Sequence, residues 1–221
     1  RGGIDFGQTR SSVVVISDSE SCPQIVMFAN RKGQPCDTLT STVMYPQVGD
    51  PQVGGGRLEW TVGDPVRTVY GFKRLLGRAH TDPDVQGALS SLDWRAVPGP
   101  EGGIAAQLDE SASPLPLGDV AADVFRHLYR ATFAMTRGKP EDVTVSVPAC
   151  FSPSQVDAVL SAAREAGWPE PRACSEPVAL ATALASLGVF VDEFVAMCDL
   201  GGGKFEAAVV QFGAPGTFRL L

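Results

Sequence analysis

Residues suited to metal chelation or disulfide pairing are scarce in this chain. Of 221 residues only two are histidine and five are cysteine. The cysteines, Cys22, Cys36, Cys150, Cys174 and Cys198, are scattered, odd in number and free of CxxC spacing. That pattern argues against a zinc ribbon and reads as reduced thiols, hence a cytoplasmic or other reducing compartment. Basic residues are in deficit: the net charge is −7 and the pI about 4.8, which argues against a general nucleic-acid binder. No apolar run reaches the roughly 18 residues of a membrane span, and no signal peptide is visible, so no membrane contact is expected. The first residue is Arg1 rather than methionine, which leaves a trimmed targeting segment, organellar ones included, open. There is no repeat of solenoid period and no low-complexity tract.

What is present is a hydrophobic fraction of 44% over 221 residues, enough for one large domain or two lobes. A chain of this length buries roughly 70% of its unfolded surface. The first third reads as strands: "GGIDFG", "SSVVVIS", "QIVMFAN" and "TSTVMYP" are apolar or β-branched and bounded by turn residues. Residues 46–65 are rich in Gly, Pro and Asp and read as a loop with one short strand near "RLEWTVG". "DPVRTVYGFKRLLGR" reads as a helix stopped by Gly77, and "PDVQGALSSL" as a second short one. A long helix is expected from about Asp119 to Arg137, with Val120, Val124, Leu128 and Thr132 on one stripe and Phe125, Tyr129 and Phe133 beside them. "EDVTVSVP" is then a strand, and "SPSQVDAVLSAAREAG" a helix capped by Ser152, begun by Pro153 and ended at Gly167. "PRACS", "EPVALATALASLG" and "EFVAMCDL" complete a β-α-β-α-β alternation, and "KFEAAVVQF" and "TFRLL" return as strands. This last third predicts an α/β layer with strands buried on both faces.

Two stretches share one plan. "GGIDFGQTRSSVVV" and "MCDLGGGKFEAAVV" both run apolar strand, aspartate, glycine turn, apolar strand. A glycine turn lets backbone N–H groups approach a ligand and form an anion-binding concavity. An aspartate at each strand end supplies oxygen ligands for Mg²⁺, directly or through water. Either hairpin alone is most often just a turn; two with the same order point to the phosphates of a nucleotide and their metal.

Five blocks, in order, then resemble the nucleotide-binding domain of the seventy-kilodalton heat-shock chaperones, the DnaK type, within the actin, sugar-kinase and chaperone superfamily. They are "GIDFGQTRSSVVV", "TVYGFKRLLGR", "VTVSVPACFSPSQVDAVLSAAREAGW", "SEPVALATAL" and "DLGGGKFEAAVV". The resemblance implies an α/β, actin-like (ribonuclease H-like) ATPase fold. It divides the chain into a first-lobe core over residues 1–36 and 117–188, an inserted subdomain over 37–116, and the opening strands of a second lobe over 189–221. It implies ATP or ADP with Mg²⁺ as ligands. Asp5 and Asp199 would hold the metal's waters, Lys73 would reach the terminal phosphate or the attacking water, and Glu176 would order that water and the metal shell. Gly7, Gln8, Thr9 and Arg10, with Gly201, Gly202, Gly203 and Lys204, would line the phosphates. Taken singly, Lys73 reads more readily as a solvated helix lysine, and Glu176 equally as an acid favoured by a helix N-terminus. In a longer parent the resemblance implies client polypeptides bound by a separate substrate domain, a J-domain co-chaperone and a nucleotide exchange factor.

The sequence also departs from the family pattern. Where the family has two threonines after the first loop glycine, this chain has Gln8 and Thr9; after the second glycine run it has Lys204 for threonine, and then Glu206 for aspartate. An added cation about 4 Å from an anion gains about 4 kcal/mol at an effective dielectric near 20, before desolvation. Binding then survives while hydrolysis suffers, since only interactions stronger in the transition state speed the reaction. The family's ATPase is helped by K⁺ near the phosphates, and Lys204 either replaces such an ion or points into solvent. Pro148 is retained, but Pro153 and Val156 stand where the family has an acid and an arginine that signal to the substrate domain. The chain stops at Leu221, soon after the second hairpin, so a piece of a longer protein is expected. The leading expectation is an ATP-binding domain of a DnaK-type chaperone. A degenerate, non-hydrolysing nucleotide-sensing scaffold or co-chaperone is the alternative; an actin-like filament or sugar-kinase relative fits less well, since no sugar-binding signature is visible.

Overall fold

The computed structural model describes residues 1–16, 22–29, 33–55, 63–138 and 140–221. β1 (Gly2–Phe6) and β2 (Arg10–Val15) form the first hairpin, followed by the short β3 (Gln24–Ile25), β4 (Phe28–Ala29) and β5 (Pro35–Cys36). β6 (Leu39–Met44), β7 (Gln52–Gly54) and β8 (Thr68–Tyr70) come next, then a 3-10 turn at Lys73–Leu75 and α1 (Pro83–Leu89). β9 (Ala96–Pro98), β10 (Ile104–Ala106) and β11 (Leu115–Pro116) lead into the long α2 (Leu117–Thr136). An alternation follows: β12 (Val143–Val147), α3 (Pro153–Glu165), β13 (Arg172–Ser175), α4 (Glu176–Ser186) and β14 (Phe194–Leu200). β15 (Phe205–Phe212) and β16 (Phe218–Leu220) end the chain.

The main sheet is mixed, in the order β13-β12-β1-β2-β6-β7, with β3 beside β2 and β8 beside β6. β1, β12 and β13 run parallel, whereas β1–β2 and β2–β6 are antiparallel. Its central strands alternate. Ile4, Phe6, Val13, Val15, Val143, Val145 and Val147 are buried on one face, where α2 and α3 cover them. α2 presents the expected stripe: Val120, Val124, Leu128 and Thr132 are fully buried, with the Phe125 ring tilted against that of Phe6 at 4.6 Å between ring centroids. Phe133, at 47% exposure, falls outside the stripe. Trp168 closes the far end, its indole N–H donating to the Phe125 carbonyl at 2.9 Å.

Three expectations need correction. The strands of the last third are not buried on both faces: Thr144 and Ser146 of β12, Cys174 of β13 and Asp199 of β14 face a largely apolar cavity of about 730 Å³, which Gly3, Asp5, Ser12 and Val14 of the first hairpin also line. The helix expected over "DPVRTVYGFKRLLGR" is a strand and a short turn. Thr68–Tyr70 pairs with β6 through Thr42↔Tyr70 and Met44↔Thr68, and Gly71 at φ 68° breaks the chain before Lys73. Cross-strand pairing of a β-branched run outweighs the helical period there. In the Gly/Pro-rich loop, Gln52–Gly54 instead pairs with β6 as an edge strand; the strand expected near "RLEWTVG" falls on 57–62, outside the described residues. A second, smaller core gathers Ala181 and Ala185 of α4 with Met197, Val210 and Phe212 of the β14–β16 sheet.

Candidate functional site

Both glycine hairpins form as expected, and they face each other. In the first, a side chain on Gly7 would collide with the Arg10 carbonyl, so the β1–β2 turn tolerates only glycine there. In the second, Asp199 lies opposite Glu206 and Leu200 opposite Phe205, and the Gly201 N–H donates to the Lys204 carbonyl at 3.0 Å to close the turn. A Cβ on Gly202 would fall on the Thr9 hydroxyl, and one on Gly203 would lie 2.6 Å from Gln8 Cγ. The two turns therefore touch through positions that must lack side chains. Between them lies a cleft of about 430 Å³. Every residue singled out from the sequence lines it: Asp5, Gly7, Gln8, Thr9, Arg10, Lys73, Glu176, Asp199, Gly201, Gly202, Gly203 and Lys204.

Each charged group is placed by a different element. Lys73 begins the 3-10 turn after β8; it is 4% exposed, and its ammonium lies 5.7 Å from the Phe6 ring and 5.9 Å from that of Phe151. It donates to Glu176 Oε1 at 2.9 Å. The solvated-lysine reading is thus replaced by a buried ion pair. Glu176 opens α4, where the helix N-terminus favours an acid. Its second oxygen, Oε2, is in ion contact with Lys204 Nζ, and the same ammonium contacts Glu206 Oε2. Those two contacts are ion pairs whose angles fall short of hydrogen-bond geometry. The other oxygen of Glu206 accepts from the Ala149 N–H at 2.9 Å, just beyond β12. Asp5 accepts from the Ser146 hydroxyl at 3.0 Å.

The titration behaviour follows from this crowding. Desolvation pushes the Asp5 carboxyl above its ordinary value, against the pull of Ser146 and Lys73. Burial pushes Glu176 up as well, but Lys73 and Lys204 outweigh it and hold the carboxyl below its ordinary value. Burial lowers the Lys204 ammonium, and Glu176 and Glu206 more than reverse that, so it stays charged at neutral pH.

Arg74, Pro148, Phe151 and Glu206 contribute to the site without being singled out from the sequence as site residues. Gln8 was placed as a phosphate-loop residue, yet its amide also donates to the Gly71 carbonyl and accepts from the Arg74 N–H at 3.1 Å, tying the first hairpin to the lysine turn. Arg74, Pro148 and Phe151 complete the lining of the cleft. Glu206 was noted only as a departure; counting back through the four-residue turn from Asp199 would have put it at the site.

A mixed α/β fold with two facing glycine turns, an acid at each strand end and a lysine–glutamate pair between them defines the class of actin-like ATPase domains. The model of the Hsp70 family, described as "Hsp70 protein", matches residues 2–221, and the chain belongs to this family of ATP-binding chaperones.

Proposed function

We propose that this chain binds the phosphates of ATP or ADP between its two glycine hairpins, as the nucleotide-binding part of a chaperone. The observation that carries the reading is the contact of Gly202 and Gly203 with Thr9 and Gln8, which frames a cleft holding Lys73, two hairpin aspartates and turn amides. Backbone N–H groups of the turns suit phosphate oxygens, and phosphoryl transfer needs mainly positioning and charge neutralisation. Magnesium fits at Asp5 and Asp199. Among the described residues neither is ion-paired, whereas Glu176 has both oxygens against lysines. When bound, the metal would neutralise the phosphate charge; Asp5 and Asp199 would orient it through its waters, and Lys73 would stand at the terminal phosphate.

The reading extends to the longer family architecture. Residues 1–36 with 117–188 form the first-lobe core, 37–116 the insertion and 189–221 the opening of the second lobe. The smaller hydrophobic cluster joins Ala181 and Ala185 of α4 to the β14–β16 sheet and so straddles the last boundary, while pairing of β6 onto β2 roots the insertion in the main sheet. Members of the family bind client polypeptides and co-chaperones, and coupling of nucleotide state to a client, a J-domain partner or an exchange factor is proposed here on that ground. A cytoplasmic, reducing compartment is proposed from the odd number and scattered spacing of the five cysteines. Among the described residues no helix is long and apolar enough to cross a membrane.

A second reading, a member that senses ATP without hydrolysing it, is favoured by one observation. Both Glu176 oxygens already carry a lysine contact, from Lys73 and Lys204, which weakens the carboxylate as an acceptor for an attacking water. Calorimetric titration with Mg-ATP, Mg-ADP and inorganic tripolyphosphate tests the common claim. Asp5→Asn and Asp199→Asn should each weaken Mg-ATP at least tenfold without weakening metal-free tripolyphosphate, since each removes a negative charge that repels the bare anion. No heat with any of the three ligands would refute the site. A single-turnover assay then separates hydrolysis from sensing.

A further inference from the structure

The second hairpin places three carboxylates together. Ligand oxygens of Glu176, Asp199 and Glu206 lie within 4.8 Å of one another, one from the start of α4 and two from opposed positions of β14 and β15. Like charges directly opposite across an antiparallel pair repel, so this corner needs a cation to be stable. One is already there. The Lys204 ammonium, rooted in the turn between the two strands, contacts Glu176 and Glu206 at once, and its nitrogen is shielded from solvent. The bland alternative, a turn lysine pointing into water, is not what the side chain does.

We propose that Lys204 is a built-in cation: its ammonium fills a carboxylate site that would otherwise take a metal ion from solution. Three consequences follow from the geometry. The corner formed by Glu176 and Glu206 is closed to free cations in the native chain. Any magnesium that accompanies a phosphate ligand is confined to the Asp5–Asp199 side of the cleft. Removing the ammonium while keeping the acids creates a cation site, because hard divalent ions favour clusters of carboxylate oxygens.

The test uses no nucleotide, so its failure and the failure of the nucleotide reading are separate results. Mn²⁺ is titrated into the native chain, Lys204→Met and the double variant Lys204→Met/Glu206→Gln, with free Mn²⁺ read by electron paramagnetic resonance. Lys204→Met should bind Mn²⁺ at least tenfold more tightly than the native chain, and the double variant should lose that gain. Melting curves cover the case in which Lys204→Met folds poorly. Its melting temperature should be depressed in chelator and raised by Mn²⁺, while that of the native chain moves much less. Equal Mn²⁺ affinity in the native chain and Lys204→Met would overturn the proposal. So would a gain that persists in the double variant, or a destabilised Lys204→Met that saturating Mn²⁺ does not rescue.

Discussion

Gln8 shows how much one side chain can hold in place. Its amide oxygen and nitrogen are both used, on Arg74 N–H and the Gly71 carbonyl, and its stem packs where Gly203 leaves room. Gln8→Ala removes both bonds and leaves two backbone groups to find water. A loss of about 1–2 kcal/mol of stability is expected, given about 1 kcal/mol per net hydrogen bond. Urea unfolding checks it, and weaker Mg-ATP binding in the same variant would show that the lysine turn had moved. His127, half-buried on α2 with its ring 6.5 Å from Phe28, makes a pH-dependent contribution. Burial first, and then the charge of Arg130, hold its imidazole below the ordinary 6.5. The unfolded chain therefore takes up the proton more readily. The stability tied to this group is complete above pH 6.5 and is lost as pH falls through the lower folded value. Urea midpoints at pH 7.5 and pH 5.5 should fall further for the native chain than for His127→Phe; an equal fall in both would remove His127 from the account.

Among elements, α3 is the one whose ends the sequence states most openly. Ser152 accepts from the Gln155 N–H while the Gln155 side chain accepts from the Ser152 N–H, a complete capping box, with Pro153 at the first turn. Ser152→Ala should cost about 1 kcal/mol. That appears as a lower urea midpoint at unchanged slope; a changed slope would mean a wider rearrangement. The apolar stripe of α2 and the alternation of β12 were legible too, because an apolar period acts within one element. The segment before Lys73 was not legible in that way. Thr68, Val69 and Tyr70 are strand residues only because β6 offers them partners some 26 residues upstream, a relation no local window contains. Nor did local pattern show where Lys204 goes. The hairpin arithmetic put it in a turn, but its partner Glu176 stands on another element, and only the fold brings the two charges together. The acids and glycines, by contrast, were readable as two copies of one strand-turn-strand plan.

On the scale of the whole molecule, the cleft sits where two cores meet. The larger core runs from Ile4 to Trp168 and the smaller from Ala181 to Phe212, and the polar seam between them is a chain of charges: Lys73, Glu176, Lys204, Glu206. A ligand held at such a seam touches both bodies, so its phosphates are positioned to report on how the bodies stand to each other. On the proposed function, one phosphate group engages both hairpins together. Amide hydrogen exchange of residues 7–10 and 201–204, with and without Mg-ATP, tests it most directly. Both turns should slow together as Mg-ATP saturates, with one midpoint. Saturable Mg-ATP binding that leaves either turn exchanging at its free rate would contradict it.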